Sequence, residues 1–436
     1  MLSLTQFLLL LITLICREFS WSANSGTNFQ PLVAMFAYCL GFGLLAKLIC
    51  ARIVGGWAQE QSENAFERTI DAWQAARQWI ESVWVMCLPV ALLLTNWGPW
   101  IVKLEALGFP QCLAILLWFA PSFVHLFLLE VTASQLEVFM RGDQQLNGMG
   151  AANRANESPF LSILSTRVRL GGTSSVVTCL LPVLLIATSV DVLEMLDLGW
   201  TAWQQSLAAS VLGLSCVALF LPKMLCHWMG VRKLQPSALR DRIEAYCTTL
   251  NVRVNPMWVA SGGRWAGAAV VGWLPGTRQL WLGDALVNKL SDDELDMVVL
   301  HELAHLKRRH FLWRLIPVFM ACVIGMSVAG MFTSLLAHKA NAEKFEVLAQ
   351  SIGMLSASAV LLLGLGIGSR YCEMDADRQA CLMGVSCCSW AQGDASQTAV
   401  SLARALTKLH RKSPADDKAT WLHPALGERL TGLQRV

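Results

Sequence analysis

The residues best suited to chemistry in this chain form the stretch His301-Glu302-Leu303-Ala304-His305, an H-E-x-x-H pattern. On a helix, residues four apart lie on the same face, so both imidazoles can bind one metal ion, and zinc is the typical ion for this pattern. Glu302, beside the first histidine, can act as general base toward an attacking water. The sequence therefore predicts a catalytic site for one Zn²⁺ per subunit.

The segment around this pattern is predicted to be a helix. Ser291 and Glu294 have the spacing of a capping box, which marks a helix start. Apolar residues then recur at helical spacing, namely Leu295, Val298, Val299 and Leu303. Arg308 and Arg309 suit the negative end of the helix dipole, so we expect the helix to run to about Arg309.

A catalytic zinc takes three protein ligands, so a third one must lie elsewhere in the chain. His310 lies five residues after His305, which on a continuing helix turns it to a different face. Glu373 is the better candidate, because its segment has helical character and Asp377 follows one turn later on the same face. Asp377 could accept a hydrogen bond from a ligand imidazole. The alternative is that these acids form only a charged helix end.

Composition places the chain among membrane proteins. Of its 436 residues, 55% are hydrophobic and only 15% are charged, which is too apolar for an ordinary soluble protein. The stretches long enough to cross a bilayer are residues 32–50, 82–102, 111–133, 173–190, 203–222, 315–337 and 347–369. Residues 2–16 form a shorter candidate. Because no positive charge precedes their apolar core, they are interpreted as an uncleaved span rather than a signal peptide.

Positive charges in the loops predict the orientation. With the segment after Pro222 in the cytoplasm, the inner loops hold Arg52, Arg68, Arg77, Arg141, Arg154, Arg167 and Arg169. The outer loops then hold Arg17, Lys103, Lys339 and Lys344. These charges predict a multi-pass protein with its catalytic part in the cytoplasm. We expect the membrane to be a bacterial inner membrane, although no residue identifies the organism.

Cysteine usage and net charge exclude other classes. Many of the 14 cysteines lie in apolar stretches, and no C-x-x-C pair occurs, so neither a cysteine zinc site nor a redox motif is supported. A net charge of +3 offers no argument for a nucleic-acid partner. The partners that we expect are the lipid bilayer and protein or peptide substrates associated with it.

The fold class that these patterns predict is mainly α, a polytopic membrane protein with about seven to eight transmembrane helices. A cytoplasmic α+β zincin-like domain is interrupted by two spans. The predicted divisions are a membrane domain of about six spans (1–229), a first catalytic part (230–310), a two-span hairpin (311–369) and a second catalytic part (370–436). Within the first catalytic part, short runs at 252–260, 268–273 and 279–282 are predicted strands, and Pro236-Ser237 opens a helix.

Three motifs in order resemble one known family. They are H-E-L-A-H at residues 301–305, E-M-D-A-D at 373–377 after two spans, and H-P-A-L-G-E-R at 423–429. The chain is similar in these motifs to the integral-membrane zinc metallopeptidases, the family of HtpX-like proteases and type I CAAX prenyl endopeptidases. That family pairs H-E-x-x-H with E-x-x-x-D. The resemblance covers roughly residues 255–433.

The resemblance implies a role for each matching residue. His301, His305 and Glu373 would bind zinc, while Glu302 would activate water. Asp377 would orient a ligand. His423 and Arg429 would stabilise the oxyanion of the tetrahedral intermediate; as lone motifs, they are also compatible with a surface helix. One departure is Gly267, which stands where the family usually has Asn.

The function that follows is a membrane-embedded zinc metalloendopeptidase (a hydrolase of the EC 3.4.24 type), acting in protein quality control or processing. One alternative is a sensor-transducer that cuts a single regulatory partner, although its usual external domain has no counterpart in the short outer loops. Another is a non-catalytic scaffold or transporter. For a transporter, the clear buried charges in the span at residues 111–133 are His125 and Glu130.

Overall fold

The structure is a computed structural model of the chain. It describes residues 4–18, 30–57, 65–147, 159–170, 172–229, 231–260, 267–336, 342–410 and 419–435. These form two compact units, residues 1–217 and 218–436. The domain boundaries expected from the sequence stay predictions.

The first unit is built from helices. They are α1 (Leu4–Glu18), α2 (Gln30–Trp57), α3 (Ala65–Leu94), α4 (Trp97–Ala106), α5 (Gln111–Asn147), α6 (Pro159–Leu170), α7 (Gly172–Leu196) and α8 (Ala202–Met229), the last of which continues into the second unit. Its core contains large side chains from α3 and α5, among them Trp84, Leu88 and Trp118, all at most 1% exposed. In a bilayer, such side chains stabilise the bundle through van der Waals packing between helices rather than through removal from water.

The second unit adds a small sheet and the remaining helices. Its elements are β1 (Arg232–Lys233), α9 (Ala238–Thr249), β2 (Met257–Ala260), β3 (Ala268–Val271), β4 (Gln279–Gly283), α10 (Asp284–Lys289), α11 (Asp292–Lys307), α12 (His310–Leu336), α13 (Ala342–Cys387), α14 (Ala395–His410) and α15 (Leu426–Leu433). The strand order is β1-β2-β4-β3, with β2 and β4 parallel and the other two pairings antiparallel. The predicted strands are all present, each within a few residues of its expected place.

Membrane-spanning helices are present in both units. In the described part of the chain, six helical segments are long and apolar enough to cross a membrane, by length and composition: Gln30–Gly56, Arg68–Leu94, Gln111–Met140, Leu207–Met229, His310–Leu335 and Leu348–Cys387. Helices α7 and α1 occupy the remaining predicted positions, and α1 has only 15 residues. The predicted polytopic, mainly helical fold class is thereby confirmed.

One predicted span is displaced. Residues 82–102 do not form one helix, because α3 ends at Leu94 and the left-handed backbone of Asn96 (φ 55°) starts the separate helix α4. The candidate span is the earlier helical segment Arg68–Leu94. Arg77, counted above among loop charges, lies on this helix, where it pairs with Glu81 at 2.8 Å and with Glu130 at 2.7 Å.

Helix α11 is held firmly at its start. The expected capping box is present, with Ser291 and the Glu294 side chain satisfying each other's backbone amides. Lys408 and Arg404 of α14 add ion pairs to Glu294 and Asp293, both at 2.7 Å. Hydrogen bonds from Lys408 and Ser291 lower the pKa of Glu294 against the opposing effect of burial. This end of the helix is therefore fixed to its neighbour.

Helix α13 carries the other half of the candidate site. It runs without a break for 46 residues, about 69 Å at 1.5 Å per residue, which is far longer than a bilayer core of about 30 Å. Its small residues Ala376 and Ala380 are fully buried in the core that also contains Leu303 and Ala304 of α11. Small side chains let the two helices approach closely, so that side chains of α13 can reach those of α11.

Candidate metal centre

Three potential ligands converge between α11 and α13. The Nε2 atoms of His301 and His305 lie 3.2 Å apart. Glu373 Oε1 lies 3.5 Å from His305 Nε2, and Glu373 Oε2 lies 3.7 Å from His301 Nε2. These three residues form the one group in the described chain that could hold a metal ion. The structure thus brings together the three ligands proposed from sequence.

The spacing of these atoms fits zinc. In a tetrahedron with metal–ligand bonds of 2.0–2.1 Å, two ligand atoms lie about 3.3 Å apart. The separations of 3.2, 3.5 and 3.7 Å lie close to that value. Two imidazoles and one carboxylate are also a donor set that zinc prefers, with a fourth corner left for water. The residues present therefore fit the ion.

The two histidines differ in their affinity for a proton. Burial lowers the pKa of His301, but hydrogen bonds to Asp377 and Glu373 outweigh burial and the net shift is upward. Burial also lowers the pKa of His305, and the positive charge of His301 lowers it further. Between them, the two imidazoles therefore favour one proton and disfavour a second.

Glu302 occupies the position expected for a general base. It follows His301 on α11, and burial raises the pKa of its carboxyl to about 7, against the charge of His301 and a hydrogen bond to the backbone of Val270 in β3. A base is most effective when its pKa lies near the working pH. Its partner Val270 also links the candidate base to the edge strand of the sheet.

Asp377 supports the first ligand. Its Oδ1 lies 2.9 Å from His301 Nδ1, the ring nitrogen that faces away from Glu373. Arg429 of α15 donates to both Asp377 oxygens, at 2.7 and 2.6 Å, and both side chains are buried. A carboxylate in this position holds the imidazole with Nε2 free for a metal. Losing one partner of such a buried pair typically costs about 3–5 kcal/mol.

The other predicted site residues also lie at this centre. His423 Nδ1 is 3.2 Å from Glu373 Oε2, so the C-terminal motif folds back onto the ligand cluster. Arg429 gives its Nε and Nη2 atoms to Asp377, which favours a supporting role over direct contact with an oxyanion. The oxyanion role stays a prediction, and His423 is the better placed of the two. Gly267 contributes backbone only, since its carbonyl accepts from Gly283.

Sequence reasoning missed two residues at the centre. Arg314 of α12 places Nη2 3.2 Å from Glu373 Oε1, and Asp375 of α13 pairs with both Arg308 and His310 at 2.9 Å. A signal for Arg314 was present, because it is a lone charge one turn into an apolar span. Asp375 had no separate signal beyond its position between two acids already assigned.

Comparison with known proteins defines the class. Residues 234–436 match the model of peptidase family M48, which confirms the resemblance seen in the three motifs. Together with the six apolar helices, this match supports an integral membrane metallopeptidase.

Among solved structures, the chain is similar to the crystal structure of S. mikatae Ste24p. The two share 16% sequence identity with a TM-score of 0.41, and the match covers 94% of this chain and 100% of that one. None of the curated proteins matches the chain.

Proposed function

We propose that this protein is a zinc endopeptidase that hydrolyses peptide bonds of membrane-associated proteins at the cytoplasmic face. The observation that supports the proposal most strongly is the tetrahedral spacing of His301, His305 and Glu373, with Glu302 beside them. The excess of arginine in the inner loops predicted from the sequence supports the cytoplasmic placement. Protein quality control or processing is the role that fits this chemistry.

The residues of the site divide the reaction among them. Zinc held by the three ligands would polarise the scissile carbonyl and lower the pKa of the attacking water. Glu302 takes a proton from that water and later returns it to the leaving amine. His423, beside Glu373, is positioned to donate a hydrogen bond to the developing oxyanion.

The edge strand β3 supports a substrate that binds as an extended chain. β3 pairs with β4 on one side, and no strand among the described residues pairs with its other edge. The Glu302 carboxyl hydrogen-bonds to the backbone of Val270 in this strand. A peptide added to that edge would run past the general base, with its backbone held by strand-to-strand hydrogen bonds.

The turn after β3 supports substrates drawn from the membrane. Trp273 stacks on Phe311 with ring centroids 4.9 Å apart, and Phe311 lies in the first turn of the span His310–Leu335. Trp273 and Leu274 are 40% and 45% exposed. Exposed aromatic and apolar side chains at the end of a span fit the membrane interface. The substrate strand would then lie at the bilayer surface.

Replacing this turn tests the substrate class. We expect the W273A/L274N double variant to raise KM about tenfold for a palmitoylated fluorogenic peptide in liposomes, because interfacial contact of two apolar side chains is lost. KM for the same peptide without palmitate should not change. The control is V400N, since Val400 is also exposed but lies on α14. Equal changes in KM for both peptides would contradict the membrane-surface assignment.

The activity itself is tested on the purified full-length protein in detergent. We expect about one zinc per chain by elemental analysis and cleavage of an unfolded membrane protein. A chelator should abolish the cleavage and zinc should restore it, because the ion is bound reversibly by protein side chains. A protein that takes up no zinc, or cleaves equally well with the ion removed, would contradict the proposal.

A further inference from the structure

We infer that His310 is a positioning residue for the zinc ligand His305, which it links to Asp375. The chain of contacts runs from His305 to His310, then to Asp375 and finally to Arg308. This inference rests on the proposed function, since it concerns how a ligand of the same centre is oriented. The spacing along the sequence predicted that His310 lies on a different helix face from the ligands.

The backbone brings His310 to the centre by a sharp change of direction. Helix α11 ends at Lys307, Arg308 caps it, and Arg309 adopts a left-handed conformation with φ 54°. Helix α12 then begins at His310, so His310 does not continue the face pattern of α11. Its ring centroid lies 4.9 Å from that of His305, with the two rings nearly perpendicular.

The distances form an unbroken series. His305 Nδ1 lies 2.8 Å from His310 Nδ1, and His310 Nε2 lies 2.9 Å from Asp375 Oδ2. Arg308 Nε donates to the same Asp375 oxygen at 2.9 Å. His310 is only 2% exposed, so both of its ring nitrogens are satisfied by protein groups rather than by bulk solvent.

With neutral imidazoles, the hydrogen bonds of this series run in one direction, from His305 through His310 to Asp375. A neutral His305 that offers its Nε2 lone pair to zinc must carry its proton on Nδ1. That N–H donates to the Nδ1 lone pair of His310, which in turn must carry its own proton on Nε2. The Nε2–H donates to the Asp375 carboxylate. With His310 neutral and Asp375 ionised, each hydrogen is used once and His305 has the tautomer that leaves Nε2 free for a metal.

The first ligand has a parallel arrangement. His301 Nδ1 meets the carboxylate of Asp377 directly at 2.9 Å, and Arg429 holds that carboxylate. His305 reaches a carboxylate of the same helix α13 through one additional imidazole, and Arg308 holds that carboxylate. Both ligands are thus oriented by an aspartate–arginine pair. The additional imidazole, that of His310, bridges His305 and Asp375.

Two other roles for His310 fit less well. As a metal ligand it would have to point a ring nitrogen at the Nε2 atoms of His301 and His305. Instead its Nδ1 meets the opposite nitrogen of His305, and Glu373 completes the ligand set. As a packing residue it would not need both ring nitrogens hydrogen-bonded. Phenylalanine has nearly the same shape and would serve as well.

The experiment compares zinc affinity in three variants of the full-length protein, measured by competition with a chelator in detergent. H310F keeps the volume and removes both contacts, so we expect zinc to bind 10- to 100-fold more weakly, the usual effect of losing such a partner. H310Q retains an acceptor for His305 and a donor for Asp375, so its affinity should stay within about threefold of the parent. D375N keeps a hydrogen-bond acceptor without the charge, so its zinc affinity should lie between those of H310F and H310Q.

The control is R404A, which breaks an exposed ion pair with Asp293 on α11 and should leave zinc affinity unchanged. If H310F does not fold, the zinc affinities of D375N and H310Q relative to the parent still test the role, because D375N should bind zinc more weakly than H310Q. Zinc affinity of H310F within twofold of the parent, or of H310Q as weak as H310F, would overturn the positioning role. A parent protein that binds no zinc would instead overturn the proposed function, so the two failures are distinguishable.

Discussion

Glu302→Gln is expected to lower kcat for peptide hydrolysis by about 10²- to 10⁴-fold while zinc stays bound, since this is the range that a positioned general base contributes. Glu302 stands next to the ligand pair but is not a member of the metal-holding group. Burial raises the pKa of its carboxyl to about 7, which suits proton transfer near neutral pH. Glutamine keeps the size and removes the base. The measurements are kcat on a fluorogenic peptide and zinc content by elemental analysis.

The matched control for this variant is Glu244→Gln. Glu244 lies on α9, where its half-exposed side chain pairs with Arg240. The same chemical change at that position should leave both activity and zinc content as in the parent. More than one-tenth of the parent kcat in Glu302→Gln, with zinc bound, would remove Glu302 from the role of base.

The inactive variant also separates the remaining functional alternatives. Proteins that accumulate in cells carrying Glu302→Gln, relative to cells carrying the parent, are candidate substrates. Many unrelated membrane proteins would support quality control. One accumulating regulator would support the sensor-transducer alternative, and no accumulation together with absent zinc would support a non-catalytic scaffold.

Glu373→Ala is expected to lose bound zinc. Two imidazoles alone make an incomplete site, and structural or catalytic zinc in proteins is held by at least three protein ligands. Under conditions where the parent binds about one zinc, we expect the variant to retain less than about one-tenth. The substitution also removes the partner of Arg314 and His423, which lie 3.2 Å from the Glu373 carboxylate.

Glu244→Ala serves as the control for this loss, because it removes an acidic side chain from the same unit far along the chain from the ligand motifs. Circular dichroism of both variants shows whether the fold is kept. Stoichiometric zinc in Glu373→Ala would contradict the ligand assignment. It would point to His423 as the third ligand, and the Glu373→Ala/His423→Ala double variant would then lose the ion.

Much of the candidate site could be predicted from the sequence because its determinants are local. The capping box at Ser291 and the i, i+4 spacing of His301 and His305 depend only on residues within one helix. The same holds for Glu373 and Asp377, one turn apart on α13. The strands and the helix opening at Ser237 were likewise marked by short-range patterns and turn residues, and they are present in the fold.

Other features were decided by tertiary structure alone. The position of His310 depends on the left-handed backbone at Arg309, which the apolar periodicity does not reveal. Arg77 was assigned to a loop, yet it lies on helix α3 and pairs with Glu81 and with Glu130 of α5. The contact between Arg314 and Glu373 joins residues on two different helices. Sequence pattern and spacing predict contacts between residues that are close together in one helix or strand, but not contacts between different elements.

By itself, therefore, the sequence was enough to place the chain among membrane proteins and to predict a metal site with three candidate ligands and a candidate base. Only the packed structure decided which neighbours orient those ligands, namely Arg429 behind Asp377 and Asp375 behind His310. The physical reason is that hydrogen bonds between distant segments depend on how closely helices approach. Buried small residues such as Ala376 and Ala380 let α13 approach α11 closely. No pattern within one segment of the sequence reveals that these two helices are neighbours.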